Sequence, residues 1–218
     1  PDAKYVVICN HQTWNDIYVL MRAIGHQVPF FKFFIKQELI WIPILGLVWW
    51  ALDYPFMKRY SKAELRKNPA LAGKDLETAR ASCEKYRRQS VTVLNFVEGT
   101  RFTPAKQAAQ NSDYQHLLRP KTGGLALAVG ALGDQTDKLL DVTIVYHDGA
   151  KGFWEFMCGG MRRVTVDVRE REIPPDWRVK DYANDREFRA EAQKWMAQVW
   201  AEKDARIADT LKRGLSAG

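Results

Sequence analysis

The chain has 218 residues, 46% of them hydrophobic and 27% charged, and its 33 basic and 26 acidic side chains give a formal net charge of +7 at pH 7. This globular composition excludes a collagen-like, coiled-coil or disordered chain. Cys9, Cys83 and Cys158 show no CxxC spacing, which argues against a disulfide scaffold or a zinc finger and favours a reducing environment. The longest uncharged stretch, 39–52, has 14 residues and is too short to span a membrane.

In the first half of the chain, short apolar runs alternate with segments of helical periodicity. The apolar, β-branched runs predict buried strands at 5–9, 29–35 and 91–97, with a short extended segment at 55–57. Apolar residues spaced three and four apart predict a helix after the first strand, with one face formed by Ile17, Leu20, Met21 and Ile24. Further helices are expected in the stretch through Gly46 and Trp50, and on the surface at 61–64 and 75–88.

The second half continues the alternation. A long polar loop is expected at 103–115, then a small-residue helix packed closely on a sheet at 122–132, and strands at 139–146 and 164–168. The C-terminal helix is predicted to open with a capping box of Asn184 and Glu187 and to bury Phe188, Ala192, Trp195 and Val199. Strands interleaved with helices predict a single α/β domain over 1–218, with a mixed, largely parallel sheet flanked by helices.

The first segment with chemical potential, 10–16, reads NHQTWND and lies where a buried strand ends and a helix begins. Loops at strand ends carry catalytic groups in α/β proteins. The spacing lets the carboxylate of Asp16 reach the imidazole of His11, and such a carboxylate fixes the histidine tautomer and leaves the other nitrogen as a base. A structural alternative stands beside it, because Thr13 and Asp16 also resemble a capping box and His11 resembles a hydrogen-bonded turn histidine.

The second segment, 96–102, reads FVEGTRF and follows another predicted strand. Gly99 permits a tight turn and the close approach of a ligand. Arg101 is able to hold a phosphate bidentately and Thr100 to add a hydroxyl donor. Taken alone, the segment is equally typical of a turn that ends a strand and carries a surface salt bridge.

The two segments together, NHxxxxD and then FxEGTR some eighty residues later, resemble the glycerolipid acyltransferase family, whose type member acylates 1-acylglycerol-3-phosphate. The likeness continues through 54–59, YPFMKR, which is similar to the family's second block, and through 118–124 and 140–146. Val97 stands where most members have proline, 140–146 lacks the usual proline, and the second block departs from the commoner pattern. These details are closest to the branch that acylates lysophosphatidylinositol and lysocardiolipin, and to its bacterial relatives.

The resemblance implies acyl transfer from an acyl thioester, on coenzyme A or acyl carrier protein, to the hydroxyl of a lysophospholipid. His11 would act as the general base and Asp16 would orient it. Glu98 would either orient Arg101 or bind a polar headgroup. The acceptor and its phosphate would be bound by Lys58, Arg59, Glu98, Gly99, Thr100 and Arg101. No bound cofactor or metal is expected.

A fatty acyl chain needs an apolar groove, and Trp14, Trp49 and Trp50 are candidates for its wall, although a plain core role explains 41–52 equally well. The lysophospholipid substrate that the resemblance implies makes a membrane surface the expected partner and not a nucleic acid, and a net charge of +7 with an apolar aromatic stretch suits an anionic leaflet. We therefore expect the protein to act at the cytoplasmic face of a membrane, which in a bacterium is the inner membrane. We also expect that a segment before Pro1 anchors it there.

Three other functions compete with this hypothesis. Cys9 and His11, two residues apart on one strand, suggest a thiol hydrolase, although Cys9 also suits the core. A phosphate-binding protein without catalysis, for a nucleic acid or a membrane, would explain the charge but not the spacing of His11 and Asp16. The basic cluster it would use is Lys58, Arg59, Lys62, Arg66 and Lys67. Within the family, glycerol-3-phosphate or another lysolipid is an alternative acceptor.

Overall fold

A computed structural model describes residues 3–52, 54, 56–57, 67–68, 81, 84–86, 89–136, 138–180, 182 and 184–216. The strands are β1 (Lys4–Cys9), β2 (Phe31–Phe33), β3 (Ile35–Lys36), β4 (Phe56–Met57), β5 (Val91–Phe96), β6 (Lys138–Tyr146) and β7 (Val164–Arg171). The α-helices are α1 (Asp16–Ile24), α2 (Leu45–Ala51), α3 (Pro104–Ala109), α4 (Thr122–Leu132), α5 (Phe153–Met157), α6 (Asp176–Val179) and α7 (Arg186–Ser216), with 3-10 helices at Gln37–Trp41 and Gly133–Gln135.

Five strands form one sheet in the order β2-β5-β1-β6-β7. The first four are parallel, and β7 pairs antiparallel with β6. Strands β3 and β4 pair separately as a two-stranded parallel sheet. The predicted α/β class with a mixed, largely parallel sheet is therefore confirmed.

Alternation along the central strands directs side chains to two buried layers. Val6 and Ile8 of β1 belong to a cluster that α4 and α7 cover. Val7 and Cys9 belong to the opposite cluster, which α1 covers with Leu20 and Ile24. Both faces of the parallel strands are thus packed, as their near-continuous apolar sequences predict.

The small-residue helix α4 lies close to the sheet, as predicted. A Cβ on Gly124 would come within 3.1 Å of Asn95 Nδ2 on β5. A larger residue there would therefore have to displace the Asn95 side chain.

A buried charge cluster fastens α7 to β6. Lys203 Nζ lies 2.6 Å from Asp141 Oδ1, and guanidinium nitrogens of Arg206 and Arg171 lie 2.6 and 2.9 Å from Asp141 Oδ2. Burial alone would raise the pKa of Asp141, but Lys203 and Arg206 outweigh it and hold that pKa below its usual range. Removing Asp141 would leave the buried ammonium of Lys203 without the carboxylate that pairs with it.

Three predicted elements are wrong in detail. The run 29–35 is two short strands, because the chain leaves the main sheet after Phe33 and Ile35–Lys36 pairs with β4. The predicted loop 103–115 contains α3, whose N-cap Thr103 accepts a hydrogen bond from Lys106 N and whose first residue is proline.

The third correction concerns the start of the C-terminal helix. Phe188 N donates to Asp185 Oδ1 at 2.9 Å, so the capping residue is Asp185 and not Asn184. The buried face begins at Phe188 as predicted. The surface helix predicted at 61–64 lies outside the described residues, as does most of 75–88, where Ala81 and 84–86 are helical.

Candidate active site

The parallel pairing of β1 and β5 brings the two sequence segments together. Cys9, the last residue of β1, lies opposite Phe96, the last residue of β5. The loops that follow therefore leave the same edge of the sheet, and Phe102 N donates to the carbonyl of His11 at 2.7 Å. Residues about ninety positions apart in the sequence share one site for this reason.

Asp16 and His11 are in direct contact. His11 Nδ1 lies 2.8 Å from Asp16 Oδ2, and the same oxygen accepts the amide N–H groups of Gln12 at 2.7 Å and Thr13 at 3.1 Å. The alternative of a capping box is wrong, because the N-cap of α1 is Asn15 and its side chain makes no capping hydrogen bond. One fully buried carboxylate thus holds both the loop and the imidazole.

A tyrosine from the neighbouring strand completes the environment of Asp16. Tyr146, the last residue of β6, donates its hydroxyl to Asp16 Oδ1 at 2.7 Å. Burial, and then the neighbouring Asp16, raises the pKa of Tyr146 far above its ordinary value, so the phenol keeps its proton. Both oxygens of Asp16 therefore accept hydrogen bonds.

His11 is held on one ring face and open at one nitrogen. Its ring stacks on Phe96 with centroids 4.1 Å apart, and its side chain is 19% exposed. If Nδ1 carries the proton and donates it to Asp16, Nε2 is left with its lone pair. None of the described residues donates a hydrogen bond to Nε2, so this atom is available to a substrate proton.

Glu98 lies beneath the turn and is fully buried. The backbones of Leu118 and His11 are close enough to favour its ionised form, but within the described ranges neither carboxyl oxygen accepts a hydrogen bond of normal geometry. Burial dominates and raises the pKa of Glu98 to about 8. The expected pairing with Arg101 is not formed, because Glu98 points into the interior.

The rest of this turn faces outward. Gly99 has a φ of +69°, and a Cβ there would also come within 3.0 Å of Lys121 Nζ, so both conformation and space favour glycine. Lys106 Nζ donates to Thr100 Oγ1 at 2.8 Å and to the carbonyl of Arg101 at 2.9 Å. The exposed Arg101 guanidinium lies 5.0 Å from the ring centroid of Trp14.

The apolar groove candidates separate in space. Trp14 lies beside Arg101 at the site. Trp49 and Trp50 belong to α2, which packs chiefly against the 3-10 helix at Gln37–Trp41, and Trp50 is 65% exposed. Lys58 and Arg59, the expected phosphate ligands of the second block, lie outside the described residues.

Cys9 does not have the properties of a nucleophile. Its thiol is fully buried among the apolar residues beneath α1, and burial raises its pKa well above the ordinary value. Its sulfur contacts Asn10 Oδ1 at 3.8 Å. A reactive cysteine needs the opposite, an exposed thiol with a lowered pKa, so this geometry gives the hydrolase hypothesis no support.

Three residues of this site were not anticipated from the sequence: Tyr146, Lys106 and Asn10. Asn10 exchanges two hydrogen bonds with the backbone of Ile144, each of 2.9 Å, and so extends the pairing of β1 with β6. Its place just after an apolar strand was a usable signal. Tyr146 offered none, because it ends an apolar run of 139–146 and reads as core.

Two further properties of the described residues concern the requirements of a membrane-spanning helix and of a metal site. None of its helices has both the length and the apolar character needed to cross a bilayer. Nor do the described residues contain a group of three or more histidine, cysteine or acidic side chains arranged to hold a metal ion.

Comparison with known proteins gives concordant results. A family model described as acyltransferase matches residues 1–147. The 1-acyl-sn-glycerol-3-phosphate acyltransferase delta of Mus musculus is 27% identical over 192 residues, which cover 84% of this chain and 46% of that protein. The 2-acyl-1-lysophosphatidylinositol acyltransferase of Saccharomyces cerevisiae is 26% identical over 242 residues, which cover 92% and 59%. The chain thus spans about half the length of the curated relatives it matches.

Proposed function

This chain belongs to the acyltransferase family, and we propose that it moves a fatty acyl group from an acyl thioester to the free hydroxyl of a lysophospholipid. The observation that carries the proposal is the 2.8 Å contact between His11 Nδ1 and Asp16 Oδ2, at the strand edge that also carries Gly99, Thr100 and Arg101. A histidine held in this way suits the task of a general base near neutral pH.

In the proposed reaction, His11 Nε2 takes the proton of the acceptor hydroxyl as its oxygen attacks the thioester carbonyl. A carbon–oxygen bond forms, and the tetrahedral intermediate then breaks its carbon–sulfur bond. The departing thiolate takes the proton back from His11 and leaves as the thiol. Asp16 orients the imidazole and stabilises the imidazolium between these steps.

Asp16 performs this role as a rigid group. Gln12 N, Thr13 N and the Tyr146 hydroxyl occupy its lone pairs from three directions, so the carboxylate cannot rotate without losing hydrogen bonds. A fixed carboxylate keeps His11 Nε2 aimed at the site, and this positioning contributes to the rate without any covalent intermediate. No step of the mechanism requires a metal or a bound cofactor.

The acceptor headgroup would be bound at the outward face of the second turn. Arg101 offers an exposed guanidinium, Thr100 a hydroxyl, and Lys106 a second positive charge beside both. We assign Lys58 and Arg59 to the same phosphate on the resemblance alone. The relatives' names support 1-acylglycerol-3-phosphate or lysophosphatidylinositol as acceptor, and we place the reaction at the cytoplasmic face of a membrane.

The direct test is thiol release from acyl-coenzyme A with a panel of lysophospholipids in detergent or vesicles. The wild-type protein should turn over at least one acceptor, and His11→Ala should lose about hundredfold or more of that rate. His26→Ala is the matched control, because His26 lies in an exposed turn after α1. Turnover that survives in His11→Ala would refute the assignment of the base, and absent turnover with every acceptor and donor would favour a phosphate-binding protein on this fold.

A further inference from the structure

An exposed apolar surface lies next to the loop that carries His11. It is formed by α1 and α5, and we name it the α1–α5 patch. Trp154 is 78% exposed and Met157 63%, and the remaining members are 39 to 50% exposed. The members are Tyr18, Met21, Phe153, Trp154 and Met157.

The α1–α5 patch is fastened to the candidate active site. Thr13 Oγ1 donates to the carbonyl of Lys151 at 2.8 Å, and Asn15 Nδ2 donates to the carbonyls of Lys151 at 3.1 Å and Gly152 at 3.3 Å. The ring of Tyr18 lies 6.1 Å from that of Phe153. Because Thr13 and Asn15 lie between His11 and Asp16, the patch and the imidazole keep a fixed relative position.

The charges around the patch are arranged for an anionic partner. Lys151 precedes α5, and the exposed Arg162 and Arg163 follow it. The two acidic residues of this segment are turned to the main chain: Glu155 Oε2 accepts Gly152 N at 3.1 Å, and Asp148 Oδ2 accepts Arg162 N at 3.3 Å. Segment 148–163 thus carries three cations, Lys151, Arg162 and Arg163, against these two carboxylates, a small positive excess in a chain of net charge +7.

We propose that the α1–α5 patch is the surface with which the protein docks on an anionic lipid bilayer. Trp154 and Met157 enter the boundary between headgroups and acyl chains, and Lys151 and Arg162 lie over the anionic headgroups. Aromatic and long apolar side chains with cations beside them suit this interface. The apolar groups contact the acyl chains, and the polar groups contact water and headgroups. The inference rests on the proposed function, since a lysophospholipid acceptor lies in such a bilayer.

Docking in this orientation has a consequence for catalysis. The patch and His11 lie on the same edge of the sheet, so the bilayer surface would face the imidazole. A lysophospholipid would then present its headgroup and free hydroxyl to the site while its acyl chain stays among the lipids. The proposal thus makes the patch a docking surface and not the wall of an acyl groove.

The test is sedimentation of the 218-residue chain with vesicles of phosphatidylcholine, alone or mixed with phosphatidylglycerol. The double variant Trp154→Ser/Met157→Ser should bind mixed vesicles at least about tenfold more weakly than the wild type. Its matched control is Val179→Ser, since Val179 is 80% exposed but lies on α6, which packs against α4 on the opposite face of the sheet. That control should bind like the wild type.

A second pair of variants tests the charges. Arg162→Gln should weaken binding to mixed vesicles severalfold and leave binding to pure phosphatidylcholine unchanged. Lys194→Gln removes an equal charge from α7 and should change neither. Circular dichroism confirms that each variant is folded.

Wild-type binding by Trp154→Ser/Met157→Ser would overturn the proposal. If that variant bound vesicles normally but lost turnover, the patch would instead contact a substrate chain, and the docking proposal would again fail. Vesicle binding needs no catalysis, so His11→Ala should bind like the wild type. A failed acyl-transfer assay therefore leaves the docking result independent.

Discussion

The two loops of the candidate site each bury a carboxylate completely, and they do so in opposite ways. Asp16, after β1, accepts hydrogen bonds from His11, Gln12, Thr13 and Tyr146. Glu98, after β5, accepts none of normal geometry from the described residues, and burial raises its pKa to about 8. The first carboxylate is surrounded by donors and contacts the imidazole, whereas the second lacks them and has a raised pKa.

The difference shows that two equally buried carboxyl groups can meet very different numbers of hydrogen-bond donors. Taking a carboxylate out of water costs several kcal/mol unless donors replace the water. The loop after β1 supplies donors because it turns its own amides inward around Asp16. The turn after β5 directs its polar groups outward, so Glu98 meets the cost by protonation instead.

Replacing the Asp16 carboxylate by an amide should give the largest loss of activity among the variants that test this contrast. Asp16→Asn should lower acyl transfer about hundredfold or more, because an amide neither fixes the His11 tautomer nor stabilises the imidazolium. Steady-state kinetics measure it. Asp204→Asn is the control, since Asp204 also accepts two main-chain N–H bonds, from Gln115 and His116, but lies on α7. Equal losses in both variants would contradict a catalytic role for Asp16.

Loss of the Tyr146 hydroxyl should have the second-largest effect on activity. Tyr146→Phe removes one donor to Asp16 and keeps the ring in the core, so kcat should fall about tenfold while KM for the acceptor stays unchanged. Tyr114→Phe is a suitable control, because among the described residues the Tyr114 hydroxyl donates only to the carbonyl of Ala197, at 3.3 Å and away from Asp16. A change in KM alone would show that Tyr146 acts on substrate binding and not through Asp16.

Glu98 predicts an effect on stability that depends on pH. In the folded chain the Glu98 carboxyl keeps its proton up to about pH 8, whereas in the unfolded chain it releases the proton near pH 4.5. The free energy of unfolding therefore falls as the pH rises from about 4.5 to about 8. Glu98→Gln should remove this slope and raise the free energy of unfolding at pH 9 by at least about 1 kcal/mol. Urea unfolding across pH measures it.

The exposed Glu187 provides the comparison for that experiment. Glu187 lies on the exposed surface of α7. The variant Glu187→Gln should therefore leave the pH dependence of unfolding unchanged. If Glu98→Gln kept the wild-type slope, the carboxyl of Glu98 would have to be ionised in the folded state, and the contrast with Asp16 would disappear.

Lys106 should give the smallest effect. Lys106→Met removes the two hydrogen bonds that hold Thr100 and the carbonyl of Arg101, so KM for the acceptor should rise about threefold with kcat unchanged. Lys194→Met removes the same charge from α7 and should leave KM unchanged. An unaltered KM in Lys106→Met would show that the outward turn needs no support from α3.

Much of the fold followed from local patterns. The strands of the central sheet and the helix at 122–132 were predictable because apolar periodicity reflects which face is buried. The errors came where strand pairing or helix capping determines the bounds of an element. No local signal shows that 29–35 divides between two sheets, and the cap of α7 moved by one residue because Asp185 competes with Asn184 for the same role.

The sequence by itself determined the class of fold and the two segments of the candidate site, because apolar periodicity and motif spacing are local properties. It allowed the contact of His11 with Asp16 but left a structural role for both residues open. Only the tertiary structure decided that hydrogen-bond donors surround Asp16 but not Glu98, that the Tyr146 hydroxyl reaches Asp16, and that α5 lies against α1. These depend on strand order and register, since β6 brings Tyr146 to Asp16 from 130 residues away. Burial and donors are properties of the assembled sheet, and no window of sequence contains them.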